Sequence, residues 1–350
     1  MPELPEMEAW RRQLDEPVAA FPVAKAGPAH IATLKTFDPP LAMLEGRRFR
    51  GAERRGKRLL FPTDDGELVL LVHLMTAGRL RFVPAGDQSL TCFMRSSSKP
   101  LQALPLVRAR DDLPDDELAI ACASHHDTPE QVRAVRALLA RAEATEDDLE
   151  LGPQEGRPPE LIHNNCSGKH AGMLALCRAR GWPTEGYRLP EHPVQQACRD
   201  VHAEAAEVGP QEMATATDGC GIVTFALALE RMAHAYSRLE SLPGGARVAA
   251  AMRARPDLVG GPDGVDFLLM REAPGWLAKG GAEGLLCAAS PEGIGVALKA
   301  EDGASRANGP ALAAFLGRLG LDLPGLAERP RHNTRGDLVG EIATAGSRSV

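Results

Sequence analysis

The chain has 350 residues, of which 44% are hydrophobic and 25% charged, a composition typical of a folded globular protein. No apolar run approaches the ~20 residues needed to cross a bilayer. The acidic start MPELPEMEAW lacks the basic and apolar regions of a secretory signal. The seven cysteines include no C-x-x-C pair, which argues against a zinc ribbon or a disulfide framework. We therefore expect a cytoplasmic protein that does not contact a membrane.

The net charge of −7 is unevenly distributed along the chain. Residues 1–90 carry 13 basic against 12 acidic residues, whereas the remainder carries 27 against 35. Basic residues concentrate in 47–58, where Glu53 is the one acidic residue. This stretch fits weak contact with DNA phosphates, and a solvated basic face explains it equally well. The acidic remainder argues against a nucleic-acid partner for the rest of the chain.

The first ninety residues have the pattern of a short helix followed by β-hairpins. We expect the helix over residues 6–16. Strand-like segments follow, separated by the turn-forming stretches DPP, DDGE and PAGD. These segments are FPVAKA, HIATLKTF, RFRGAE, RLLFPT, ELVLLVHL and GRLRFV. The pattern predicts an antiparallel, β-rich unit.

From about residue 90 onward, apolar residues recur every three or four positions, which is typical of helices. The predicted helices are EQVRAVRALLARAEA, CSGKHAGMLALCRARG, VQQACRDVHAEAAEV, VTFALALERMAHAYSRL and GARVAAAMRARP. The predicted strands are ELAIACAS, GLLCAASP and GIGVALKAED. This mixture predicts a layered α/β or α+β fold.

The N-terminus carries the first chemical motif. Removal of the initiator Met would leave the secondary amine of Pro2 beside Glu3 and Glu6. Such an amine can attack a sugar C1′ and form an iminium ion, while a carboxylate transfers protons. Two further motifs follow in order, RRGKRLLF with Lys57 and LLVHLMTAGRL with Met75.

Together, these three motifs resemble the N-terminal domain of the formamidopyrimidine-DNA glycosylase family over about residues 1–88. The resemblance implies Pro2 as nucleophile, Glu3 as general acid/base and Glu6 as a helper. It also implies that Lys57 contacts a phosphate and that Met75 fills the gap left by a flipped base. The helix–two-turn–helix module and the four-cysteine zinc finger of that family have no counterpart in the sequence.

A second motif is the S-x-x-K spacing of Ser96 and Lys99 in FMRSSSKPLQALP. The spacing puts a hydroxyl and an amine on one face if a helix begins there, and Pro100 is tolerated only in a first turn. A partly buried Lys beside the positive end of a helix dipole is favoured to lose its proton and to accept one from serine. Alone, the spacing also marks an ordinary helix start.

Four further motifs accompany the S-x-x-K pair. They are CASHHDTPEQV with Ser124 after a predicted strand, HNNCSGKHAGM with Cys166, Lys169 and His170, ATDGCGIVTFALA with Asp218 and Cys220, and GIGVALKAEDG with Lys299. From about residue 92 to the end, the chain resembles the bacterial asparaginase II family of the thermolabile, rhizobial type. The resemblance implies a fold like that of serine β-lactamases and glutaminases, with a helical lobe against an α/β sheet lobe.

The resemblance implies hydrolysis of L-asparagine to aspartate and ammonia through a serine acyl-enzyme. Ser96 would attack the side-chain carboxamide, with Lys99 as its partner. Ser124 and Lys299 would form a second pair. Lys279 in WLAKGGAEG is the rival for the second lysine, and the ALKAEDG strand end favours Lys299.

The family also holds a metal, usually zinc, which implies Cys166, Lys169 and Cys220 as ligands here with water as the fourth. The alternative is that the two cysteines are small buried thiols. Further implied substrate-binding groups are Arg95, Asp218 and His170. Asp218 would equally well orient Lys169. A homodimer is also implied.

We expect a two-part chain, with a glycosylase-like fragment over 1–88 and an asparaginase-like domain over 92–350. The second part lacks the strands that normally precede the serine motif, which should expose a sheet edge unless the first part covers it. Three hypotheses follow: an amidohydrolase acting on L-asparagine, a DNA glycosylase/AP lyase using Pro2, and a fusion without either activity.

Overall fold

The computed structural model describes residues 8, 11–12, 14–15, 18–24, 26, 39–55, 58–72 and 87–344. Its contacts divide the chain into two compact units. The smaller unit comprises 1–84 together with 318–320, and the larger unit comprises 85–317 together with 321–350.

The smaller unit contains an antiparallel three-stranded sheet in the order β1-β2-β3. Its inner face buries Leu59 and Phe61, which cluster with Leu14 and Ala52. The hairpin predicted from RLLFPT and ELVLLVHL is therefore confirmed. Its elements are a 3-10 helix at Leu41–Leu44 and the strands β1 (Glu53–Arg55), β2 (Arg58–Pro62) and β3 (Val69–Val72).

Two of the six predicted strand segments in this unit differ from the structure. The described residues of FPVAKA form no strand, although the amide of Val23 donates to the carbonyl of Arg47. In RFRGAE, Phe49 makes an isolated bridge with Thr63, and β1 begins only at Glu53. HIATLKTF and GRLRFV lie entirely outside the described residues. The described residues of the predicted helix, 8, 11–12 and 14–15, are helical.

The larger unit combines helices with three small antiparallel sheets, ordered β4-β6-β5, β7-β8-β9 and β10-β11. The strands are β4 (Thr91–Phe93), β5 (Thr215–Thr217), β6 (Val223–Ala228), β7 (Leu277–Gly280), β8 (Leu285–Ala289), β9 (Gly295–Lys299), β10 (Arg329–His332) and β11 (Leu338–Ile342). The mixed α/β class predicted from the sequence is confirmed.

The helices of this unit pack around a large apolar cluster. They are α1 (Lys99–Gln102), α2 (Leu104–Ala109), α3 (Asp115–Ala121), α4 (Pro129–Arg141), α5 (Ser167–Arg180), α6 (Pro193–Ala206), α7 (Leu229–Arg238), α8 (Gly245–Ala254), α9 (Pro256–Val259), α10 (Val265–Glu272), α11 (Asn308–Gly317) and α12 (Pro324–Ala327). Short 3-10 helices lie at Arg95–Ser98, Glu146–Asp148, Leu161–His163, Pro210–Glu212, Leu239–Ser241 and Ser305–Ala307. Within the described ranges, no helix combines the length and the apolar character that crossing a bilayer requires.

Two sequence assignments in the larger unit are wrong. The segment ELAIACAS is not a strand, because α3 covers most of it and ends at Ala121. A short apolar run does not reveal its period when it is buried on every side, so it looks the same as a buried strand. The segment VTFALALERMAHAYSRL divides into strand β6 and helix α7, with the change at Ala228.

Helix α7 begins without a side-chain cap. Its first amides are satisfied instead by the residues just before β4. The amide of Leu229 donates to the carbonyl of Leu90 at 3.0 Å, and that of Glu230 donates to the carbonyl of Gln88 at 3.0 Å. Strand β4 then pairs with β6. The start of the unit is thus fixed directly before the serine motif.

Candidate active site

Ser96 lies in the 3-10 helix Arg95–Ser98, which runs directly into α1. The Lys99 amide donates to the Ser96 carbonyl, and Pro100 occupies the first turn of α1, as the sequence predicts. Ser96 is half-buried. Its hydroxyl makes no hydrogen bond within the described part of the chain, so it is free to meet a substrate.

Lys99 is completely buried at the start of α1. Its Nζ donates to the carbonyl of Ala123 and, at 3.0 Å, to the hydroxyl of Ser124. Burial lowers the pKa of Lys99 to about 8, and the positive charges of Lys169 and Lys279 act in the same direction. A substantial neutral fraction near neutral pH makes this amine suitable as a general base.

Ser124 follows α3, and its amide donates to the carbonyl of Val259 at 3.0 Å. The predicted pairing of Ser124 with Lys299 needs correction, since the lysine that contacts Ser124 is Lys99. Lys299 ends β9, where its Nζ donates to the carbonyl of Ala300. Lys279 lies on β7, and its charge is one of those that lower the pKa of Lys99.

Lys279 has a side chain that is 1% exposed, and Asp266 of α10 is its partner. The Nζ lies 3.2 Å from Asp266 Oδ2, which also accepts the amide of Gly280 at 3.3 Å. Asp266 Oδ1 accepts the amide of Phe267 at 3.1 Å. The ion pair therefore holds the Lys279 side chain in place. Asp266 was not found from the sequence, where a single acidic residue at a helix start carries no distinguishing signal.

Cys166, Lys169 and Cys220 come together in the interior, with the Lys169 Nζ 3.0 Å from Cys220 Sγ. A hydrogen bond from the Cys220 thiol lowers the pKa of Cys166 well below its usual range, against the effect of burial. Burial acts to lower the pKa of Lys169, but the neighbouring sulfurs of Cys166 and Cys220 outweigh it, so the pKa lies above its ordinary value. The two sulfurs suit the donor preference of zinc, whereas a lysine amine is an uncommon ligand that would have to lose its proton. The described residues contain no cluster of three or more His, Cys, Asp or Glu side chains able to hold a metal.

Arg95 stands immediately before the proposed nucleophile and contacts two carboxylates. Its Nε donates to Asp218 and its Nη1 donates to Glu283 at 2.8 Å. Burial raises the pKa of Asp218, but Lys169 and Arg95 outweigh it, so the pKa lies below the usual value. Asp218 is thus ion-paired with Arg95, and the charge of Lys169 also acts on it.

His170 is fully buried on α5, one residue after Lys169. Its Nδ1 lies 2.7 Å from the hydroxyl of Tyr187, which itself accepts the amide of Glu150 at 2.9 Å. Tyr187 therefore donates to Nδ1, and the His170 proton sits on Nε2, which has no partner within the described residues. Burial, with Lys169 and Lys99, lowers the pKa of His170 well below its usual value. Tyr187 was also missed, because nothing in the sequence ties it to a histidine 17 residues away.

The glycosylase-like motif residues Pro2, Glu3, Glu6, Lys57 and Met75 lie outside the described residues. The described part of the basic stretch 47–58 is partly neutralised by acidic side chains of the same unit. The ion pairs are Arg47 with Asp65 and Glu67, Arg50 with Glu53, and Arg54 with Glu8.

A serine three residues before a buried lysine, as Ser96 and Lys99 are placed here, is a spacing found in hydrolases that use a Ser–Lys pair. The model of the L-asparaginase II family matches residues 67–344, which is most of the chain. The chain belongs to this family. The model of the formamidopyrimidine-DNA glycosylase N-terminal domain matches residues 1–127, so the two matches overlap.

Individual curated relatives match the glycosylase-like part. Formamidopyrimidine-DNA glycosylase of Paraburkholderia phymatum is 43% identical over 82 residues, covering 23% of this chain and 29% of that protein. The enzyme of the same name from Teredinibacter turnerae is 39% identical over 84 residues, covering 24% of this chain and 30% of that protein. The chain thus spans less than a third of the length of these relatives. The two-part likeness predicted from the sequence is confirmed.

Proposed function

We propose that the larger unit hydrolyses the side-chain amide of L-asparagine through an acyl-enzyme on Ser96. The observation that carries the proposal is the buried Lys99, three residues after Ser96 and hydrogen-bonded to Ser124. A buried amine without a carboxylate partner among the described residues is costly to a fold, and such groups occur at catalytic sites. Membership of the asparaginase II family supports the amide substrate.

In this mechanism, neutral Lys99 accepts the proton of the Ser96 hydroxyl as Oγ attacks the carboxamide carbon. The proton carried by Lys99 then passes through the Ser124 hydroxyl to the leaving nitrogen, and the tetrahedral intermediate expels ammonia. Water then attacks the acyl-enzyme, gives a proton to Lys99 and releases aspartate, and Ser96 regains its proton. The charge of Lys279, which is ion-paired with Asp266, disfavours protonation of Lys99.

The substrate is held by its α-amino and α-carboxylate groups in this proposal. The guanidinium of Arg95 suits the carboxylate, and the carboxylate of Asp218 suits the ammonium. His170 contributes an Nε2–H donor with no partner among the described residues.

We further propose that Cys166, Lys169 and Cys220 hold a zinc ion, with water as the fourth ligand. The two thiols and their convergence with Lys169 support this assignment, since the Lys169 Nζ lies 3.0 Å from Cys220 Sγ. Bound zinc would supply a fixed positive charge beside Asp218. Lys169 would have to lose its proton to bind, so zinc affinity should rise with pH.

The test is ammonia release from L-asparagine by the full-length chain and two serine variants. Ser96→Ala should abolish release. Ser98→Ala is the matched control, because its buried hydroxyl has no hydrogen-bond partner in the described structure, and it should retain activity. Release by Ser96→Ala would show that another group is the nucleophile. A folded wild-type chain that releases no ammonia would refute the proposed function.

A second candidate, DNA glycosylase/AP lyase activity through Pro2, is favoured by the family match over residues 1–127. An iminium between the Pro2 amine and an abasic sugar would be reduced by borohydride to a stable cross-link. Wild-type chain should be trapped on abasic DNA and Pro2→Gly should be trapped much less. Equal trapping would refute the role of Pro2, and no trapping would refute the activity. Loss of both ammonia release and trapping would identify the chain as a fusion without either activity.

A further inference from the structure

Arg95 and Glu283 share an unusual backbone conformation. Their φ angles are 51° and 59°, in the left-handed region that side chains other than glycine rarely adopt. Such conformations persist only where the surrounding structure imposes them, and they concentrate at functional sites. Arg95 directly precedes Ser96, and Glu283 lies in the turn between β7 and β8. Their side chains meet, with Arg95 Nη1 2.8 Å from Glu283 Oε1.

The two carboxylates on Arg95 are held very differently. The Asp218 side chain is 8% exposed, and it also accepts the amide of Gly219 at 2.8 Å. The Glu283 side chain is 69% exposed and makes no other hydrogen bond within the described residues. Exposed ion pairs contribute little free energy, so Glu283 can leave Arg95 readily whereas Asp218 stays.

Arg95 and Glu283 also line a cavity of about 420 Å³ in the larger unit, a volume typical of small-molecule sites. Phe93 and Cys92 of β4 and Lys299 of β9 form other parts of its wall. The cavity wall thus includes both members of the Arg95–Glu283 pair, and Arg95 directly precedes Ser96 in the chain.

We propose that Glu283 competes with the substrate's α-carboxylate for Arg95, occupying its place in the free enzyme and yielding it when substrate binds. This inference rests on the proposed asparaginase function and on Arg95 as the carboxylate partner. A substrate with a free α-carboxylate replaces one carboxylate by another on the guanidinium. An amide that lacks this group has nothing to exchange, so its binding leaves the Arg95–Glu283 pair in place.

The test is steady-state kinetics of the full-length chain with two substitutions of Glu283. Glu283→Gln removes the charge at nearly constant size, and Glu283→Gly removes the side chain while favouring the left-handed backbone. Both should lower KM for L-asparagine about two- to fivefold with kcat unchanged, the range of an exposed ion pair. Glu301→Gln is the matched control, because it removes an exposed carboxylate from the turn after Lys299 and should leave KM unchanged.

β-Alaninamide, which has the amide and the amine but no carboxylate, separates this role from a merely structural one. Its KM should not fall in the Glu283 variants. Unchanged or increased KM for L-asparagine in active variants would overturn the inference and leave the asparaginase assignment intact. An equal fall with Glu301→Gln or with β-alaninamide would also overturn it. A wild-type chain without ammonia release would overturn the proposed function and this inference together.

Discussion

The ion pair of Lys279 and Asp266 gives the sharpest test of why the fold retains a buried lysine. The two side chains are 1% and 10% exposed, and their charged atoms lie 3.2 Å apart. Asp266→Asn keeps an acceptor for the amide of Phe267 but leaves the Lys279 ammonium without its counter-charge. Breaking a buried pair on one side costs about 3–5 kcal/mol. We expect the free energy of unfolding of the larger unit to fall by about 3 kcal/mol, because the remaining amide acceptor places the loss at the lower end.

Removing both charges distinguishes stability from chemistry. In the double variant Asp266→Asn with Lys279→Met, no charge is left buried, so the free energy of unfolding should return to within about 1 kcal/mol of wild type. Ammonia release near neutral pH should nevertheless fall, because Lys99 loses a neighbouring charge that disfavours its protonation. Urea denaturation followed by tryptophan fluorescence measures the free energy of unfolding, and the buried Trp276 next to β7 contributes to that signal. Glu117→Gln is a matched control that breaks the pair of another buried carboxylate with Arg141, and it should lower stability while sparing activity.

Two results would contradict this reasoning. If the double variant is as unstable as Asp266→Asn alone, the loss arises from packing rather than from the uncompensated charge. If the double variant hydrolyses asparagine as fast as the wild type, Lys279 has no part in the chemistry.

Further predictions concern the base, one helix contact and one hydrogen bond. Because the proposed base is Lys99, whose pKa is about 8, kcat/KM should rise with pH and level off above about pH 8. A flat pH–rate profile between about pH 6 and 9 would exclude Lys99 as the base. Gly168→Ala should lower the thermal midpoint, because the new Cβ would lie 2.2 Å from the carbonyl oxygen of Ile120, and an unchanged midpoint would show that α5 shifts freely. Tyr187→Phe should cost about 1–3 kcal/mol in chemical denaturation by leaving His170 Nδ1 unpaired, and a smaller loss would mean that a water replaces the hydroxyl.

The sequence identified the S-x-x-K pair and the helix start at Pro100 because both depend on local spacing. Choosing between Lys279 and Lys299 depended on tertiary structure. Lys279 lies one residue before the end of β7, and Lys299 ends β9. Only the packing shows that Lys279 is buried against Asp266 whereas Lys299 lines a cavity. The apolar WLA before Lys279 was a usable signal, since a lysine that closes an apolar strand is placed to be buried.

The assignment of ELAIACAS as a strand failed for a related reason. Its residues pack on all sides within the helical part of the unit, so no polar face marks the helical period. Asp266 and Tyr187 were missed because their partners lie 13 and 17 residues away and are joined to them only by the fold.

The start of the larger unit bears on how two unrelated genes can be joined at this point. Helix α7 is capped by the carbonyls of Gln88 and Leu90, and β4 pairs with β6 through its backbone. Every amino acid supplies a carbonyl, so these bonds make almost no demand on which residues precede the serine motif. A recombination breakpoint just upstream therefore exchanges one incoming sequence for another without changing the contacts that fix Ser96. The backbone contacts at this junction therefore tolerate many sequences, whereas the side-chain contacts of Lys99 after it do not.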